Sequence, residues 1–166
     1  MAGFLARGVV VLANSARKLQ SLQLRITAGE AKDDMEHFET YGLTSCPLEG
    51  AEALAAFIGD RSHGVVLMVS DRRYRLKALE PGEVALYTDE GDVVHLKRGR
   101  VIEVKTGTLK ISADTEVEFD TPVIRTTGRI ESAGDQVAGG VSQIEHLHDE
   151  VMPGLGKSGK PVGEGV

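Results

Sequence analysis

The chain has 166 residues, 41% of them hydrophobic but only 4% aromatic, with no Trp and a net charge of −6. That length suits one domain, or a small domain with an appendage, around a modest aliphatic core. The acidic balance argues against a nucleic-acid partner, since phosphate contacts need clustered Lys and Arg, and the single cysteine, Cys46, excludes an internal disulfide framework.

The first 16 residues, MAGFLARGVVVLANSA, imitate a signal peptide, but Arg7 interrupts them and the apolar run is short. The expectation is an N-terminal segment without a signal peptide, a strand after a short helical lead. The longest apolar runs, residues 9–13 and 65–69, fall far short of the ~20 residues that span a bilayer. Residues 7–27 read as two strands, RGVVVLA and KLQSLQLRIT, joined at the turn signal Asn14-Ser15. Residues 29–41 are charged and irregular, with only Met35 and Phe38 to suggest a helix. Residues 42–50 carry Pro47 and two glycines and read as loop, and Cys46 within them is expected as a free buried thiol of a protein assembled in a reducing cytoplasm. Residues 51–58, AEALAAFI, are ambiguous: composition favours helix, whereas a short segment between glycines favours strand. VVLMVS (65–70) is a continuous apolar strand, and DRRYR turns outward. Pro81-Gly82 then opens a hairpin, residues 83–88 and 93–96, across Asp89-Glu90-Gly91-Asp92. Several short strands with long loops predict an OB-fold barrel over residues 17–97.

Residues 101–130 read VIEVKTGTLKISADTEVEFDTPVIRTTGRI. Ile102 and Val104, Leu109 and Ile111, and Val117 and Phe119 each alternate with polar neighbours, so short strands have one dry and one charged face. Such a ribbon is too thin to stand alone, and its open edges invite pairing. Three copies wrapped about one axis would turn the apolar residues inward and pair the edges between chains. The expectation is an obligate oligomer with a shaft over residues 98–138.

Past the flexible joint expected at Gly139-Gly140 comes an apex, residues 139–166, with His146-Leu147-His148. Residues i and i+2 of an extended chain project to one side, so both imidazoles can face one ion. Imidazole suits Zn, Cu, Fe and Ni. One chain supplies too few ligands for a closed site, and three supply six, enough for an octahedron. A cupin-type enzyme also uses a strand-borne His-x-His, but here no histidine follows His148, so the second cupin motif is absent. His37, His63 and His95 read as isolated surface or turn residues, and Glu116, Glu118 and Asp120 as a solvated outer face. Arg72, Arg73 and Arg75 form a small basic spot, read as an ion-pairing or partner contact. No catalytic triad, phosphate loop or paired carboxylate is apparent, and the expectation is a protein that is not an enzyme.

This order of parts resembles the Mu-like baseplate assembly protein V family, the central tail spikes of contractile-tailed (myovirus) phages. The similarity runs through Tyr41-Gly42-Leu43-Thr44-Ser45, Pro47, Gly50-Ala51-Glu52, the long run FIGDRSHGVVLMVSDRRYRLKALEPGEVALYTDEGDVVHL (57–96), the His146/His148 tip and Gly159-Lys160-Pro161. The resemblance implies a homotrimer with an N-terminal OB-fold, a triple-stranded β-helix and a pointed apex. There an iron ion would be held by His146 and His148 of three chains; the residues alone equally allow nickel or zinc. It implies a spike in the virion's tail baseplate, against hub and tail-tube proteins, that punctures the host outer membrane when the tail contracts. The alternative is an OB-fold binding module, for nucleic acid or carbohydrate, with an oligomerising β tail; the charge and the scattered Tyr41, Tyr74 and Tyr87 speak against it.

Overall fold

The computed structural model describes residues 3–27, 30–59, 64–147 and 154, and among them it contains ten strands and no helix. The chain divides into two compact units, Met1–Ser112 and Ala113–Val166.

The first unit holds a closed barrel of five strands: β1 (Gly3–Asn14), β2 (Ser21–Thr27), β3 (Glu30–His37), β4 (Glu52–Ile58) and β5 (Gly64–Ser70). Their order is β1-β2-β3-β5-β4, closed by β1 against β4. Only β3 and β5 run parallel. This is the crossing expected of an OB-fold barrel. β1 makes closure possible because it serves two neighbours. Residues from Gly3 to Val9 pair with β4, and those from Val9 to Asn14 pair with β2, with a register shift between Val10 and Leu12. The segment before residue 17 therefore supplies the strand that seals the barrel.

The interior is small and aliphatic: Val10, Leu22, Leu24, Met35, Ala51, Ala53, Ala55, Phe57 and Val66. Residues 51–58 resolve as a strand. Ala53, Ala55 and Phe57 are buried and their neighbours are not, a period of two that overrides the helix propensity of the segment. Alanines suit this position because a five-stranded barrel leaves little room at its axis. Phe57 is the one large ring inside, and it stacks on Phe4 of β1 with centroids 4.8 Å apart. At Gly64, a Cβ would lie 2.5 Å from the Phe57 ring and 2.6 Å from Met35, so glycine is required by close packing.

Residues 30–37 form β3, where the sequence suggests irregular chain or weak helix. The pairing shows why the pattern is hidden. Leu22 faces Met35 and Leu24 faces Lys32, so β3 carries an extra residue there. The bulge includes Asp34 at φ 55°, a left-handed conformation that aspartate tolerates, and Arg17 pairs with its carboxylate at 2.5 Å. Alternation is broken at the place where it would have identified a strand.

The hairpin after Pro81 is present but stands outside the barrel. β6 (Val84–Tyr87), β7 (Val93–Lys97) and β8 (Val101–Lys105) form a separate three-stranded antiparallel sheet. VIEVK, expected as the first rung of the shaft, is thus the third strand of this meander. The three-residue link Arg98-Gly99-Arg100, with Gly99 and Arg100 both at positive φ, folds it back on β7. One carboxylate fastens that end of the sheet: Glu83 accepts from the Glu80 amide at 3.1 Å, the Arg98 amide at 3.0 Å and His95 Nε2 at 3.0 Å. Residues 106–136 form no strand within the chain.

Leu24 is fully buried. Leu24→Ala should cost about 2–5 kcal/mol of stability, read as a lower denaturant midpoint in equilibrium unfolding followed by circular dichroism.

Candidate functional site

The pairing of β6, β7 and β8 puts Val84, Leu96 and Ile102 side by side in one row and Leu86, Val94 and Val104 in the next row but one. Rows two residues apart share a face, so all six apolar side chains point to one side of the sheet. They are 36–67% exposed within the chain. The opposite side carries Ala85, His95 and Glu103, then Tyr87, Val93 and Lys105. A contiguous exposed apolar face of this kind is a candidate contact surface. In the sequence the six positions alternate as cleanly as a core does, but only the register of three strands shows that they coincide.

The barrel's own polar groups are engaged in structure. His37, read as a surface residue, is buried at the end of β3. Its Nδ1 faces Gln20 Oε1 at 3.4 Å, and Gln20 Nε2 donates to the Ser45 carbonyl at 2.7 Å. Glu39 accepts from the Ser45 amide at 2.6 Å and from Thr44 Oγ1 at 2.9 Å. This chain of bonds ties the 38–50 loop to the barrel at Ser45. Cys46, expected buried, is exposed, because its loop runs over the barrel's outside. His95 is half-buried and paired with Glu83 rather than a surface residue. His63 lies outside the described residues. Arg73 pairs with Asp71 at 2.5 Å and donates to the Glu49 carbonyl, and Arg72 pairs with Glu52 of β4. The basic spot is thus an ion-paired clasp on the barrel. Glu116, Glu118 and Asp120 are exposed.

In the second unit, Gly139 and Gly140 form a tight turn. Both have positive φ, 58° and 85°, and they join β9 (Val137–Ala138) to β10 (Val141–Ser142). Two glycines at positive φ make the turn that matches the twist of paired strands, so the expected flexible joint is a closed hairpin. Asp135 sits at its base, and its Oδ1 accepts from the Gln143 amide at 3.1 Å and the Ile144 amide at 3.2 Å. The Ser142 hydroxyl, then the amides of this turn, hold the Asp135 carboxyl below its usual range. Ser142 Oγ accepts from the amides of Ile144 at 3.1 Å and Glu145 at 2.7 Å. The winding carries His146 back over the turn, where its Nδ1 lies 2.7 Å from the Ser142 carbonyl oxygen. A carbonyl only accepts, so Nδ1 bears the proton of the neutral ring and Nε2 has the lone pair. That is the tautomer in which an imidazole ligates through Nε2 while its other nitrogen is held by the protein. The donor chemistry at His146 therefore fits a metal. His148, the second predicted ligand, lies outside the described residues. Among the described residues of one chain, no three His, Cys, Asp or Glu side chains converge.

Residues 7–73 match the family model for the N-terminal part of Bacteriophage Mu Gp45. The chain is 37% identical over 163 residues to the baseplate puncturing device gp45 of Escherichia phage Mu, covering 87% of this chain and 82% of that protein. It is 34% identical over 169 residues to the Mu-like prophage FluMu protein gp45 of Haemophilus influenzae, covering 95% of this chain and 89% of that one.

Burial pushes the His37 imidazole below its ordinary value of 6.5, with Glu39 opposing. A depressed histidine leaves stability intact above 6.5 and loses it as pH falls from there through the folded value, because the unfolded chain takes up the proton first. The unfolding midpoint should drop across that window, before the carboxylates titrate, and His37→Gln should flatten the drop.

Proposed function

The chain belongs to the Bacteriophage Mu Gp45 family, and we propose that it is the central spike of a contractile phage-tail baseplate: a trimeric, non-enzymatic needle that punctures the host outer membrane when the tail contracts. Its place is the baseplate of the virion, against the hub and tail-tube proteins. The observation that carries the reading is the uncovered apolar face of β6–β8. It lies immediately before a ribbon whose Leu109, Ile111, Val117 and Phe119 are also exposed in the single chain. A monomer would leave all of this surface in water. Three copies about one axis bury it, and pairing between chains closes the strand edges that one chain leaves open.

Mechanically, interchain strand pairing makes a stiff rod. A needle driven through a membrane must resist bending and fraying, and a charged exterior gives it no reason to remain in lipid. At the apex, His146 and His148 from three chains would supply six imidazoles for one ion, with iron the ion that the resemblance implies and nickel or zinc chemically acceptable. The ion would act as a structural cross-link between chain ends, and the Nδ1–H donation from His146 to Ser142 supports its nitrogen set.

The mass of the purified protein should be three times 17.7 kDa by light scattering, with about one metal ion per three chains by elemental analysis. Replacing Leu96 and Ile102 with Asp should break the assembly into single chains. His146→Ala with His148→Ala should lose the metal and keep the trimer, because most of the buried surface lies in the sheet and ribbon. A monomeric parent protein would end the proposal.

A further inference from the structure

The turn before the histidines is built more heavily than a surface hairpin of two-residue strands requires. A single carboxylate, Asp135, gathers two backbone amides from residues eight and nine positions later. A single hydroxyl, Ser142, caps the next two amides. Neither group is needed to join β9 to β10, which the Gly139-Gly140 turn already does. What they fix is the path of residues 143–146, and the last link of that path is the bond from His146 Nδ1 to the Ser142 carbonyl.

We propose that Asp135 and Ser142 are positioning residues of the apical metal centre: they hold His146 in the Nδ1–H tautomer and fix the ring so that Nε2 is the ligating nitrogen. The inference rests on the reading of His146 as a ligand. It adds that the geometry of this ligand is imposed by its own chain before any ion arrives. Partners that orient a ligating imidazole typically set metal affinity by about ten- to a hundredfold. Asp135 does so at one remove, by holding the turn whose Ser142 carbonyl accepts the Nδ1–H hydrogen bond. The role needs an acceptor at Asp135 and does not need its charge, so asparagine should serve and alanine should not.

The experiment uses the full chain, with nickel as the added ion. Nickel retention is measured against a competing chelator for the parent, Asp135→Ala, Asp135→Asn and Ser142→Ala, alongside the mass of each. Asp135→Ala should bind about tenfold or more weakly at unchanged mass, Asp135→Asn should recover most of the affinity, and Ser142→Ala should fall between. Long-range proton–nitrogen NMR of metal-free, 15N-histidine-labelled protein gives a second readout, independent of the ion. His146 should be an Nδ1–H ring in the parent and a mixture of tautomers in Asp135→Ala. If the parent binds nickel and Asp135→Ala binds it equally well with the same tautomer, the positioning role is wrong and the metal reading survives. If the parent binds no metal, the metal reading fails and the positioning role with it. Should Asp135→Ala lose its mass, Ser142→Ala decides, since unchanged affinity and tautomer there overturn the proposal.

Discussion

The three-stranded sheet of β6–β8 gathers its large aliphatic side chains on one of its two faces. The six apolar side chains of β6–β8 sit in two rows that the described residues leave exposed. Burying apolar surface is worth about 25 cal/mol per Å², so a face of this kind sets the conditions under which the rest of the molecule can be stable. The barrel has solved its own version of the problem by closure: β1 reaches both β2 and β4, and no edge remains. The meander has edges at β6 and β8 and no closure. Under the proposed threefold assembly, symmetry supplies what topology does not.

The barrel and the segment after the ribbon use different means to hold their loops. In the barrel, long-range bonds join the local ones. Gln20 binds Ser45, 25 residues away, and Arg73 reaches the Glu49 carbonyl 24 residues back. In residues 135–147 every described bond is local, within nine residues. Local bonds close short loops at small entropic cost, so such a turn can form without a hydrophobic core beneath it. That suits a chain end with almost no buried surface.

Much of this was legible in the residues, and the exceptions have physical causes. β1, β2, β5 and the β6–β7 hairpin announce themselves by apolar runs and turn residues. β4 was ambiguous because alanine, leucine and glutamate favour helix, while the barrel required small side chains at its axis. β3 was missed because an extra residue beside Asp34 breaks its period. β8 reads as a strand, but its pairing with β7 is not legible, since alternation fixes a strand's faces and says nothing about which edge it joins. His37 looked isolated because its partner, Gln20, is 17 residues away. Nothing in the spacing of residues 135–146 signals that the Asp135 carboxylate accepts from the amides of Gln143 and Ile144, because those bonds run through the backbone.

The Gly139-Gly140 turn bears on mutational tolerance. Both residues occupy a region of backbone space that costs side chains with a Cβ about 1–2 kcal/mol apiece. Among the described residues, no atom beyond the adjacent ones lies within 4 Å of the place where a Cβ would stand, so only the backbone conformation objects. A change there would be invisible to any inspection of contacts, yet it would unwind the path to His146. Beside the hydrogen-bonded Asp135 and Ser142, this segment thus depends on two glycines whose requirement is conformational rather than steric.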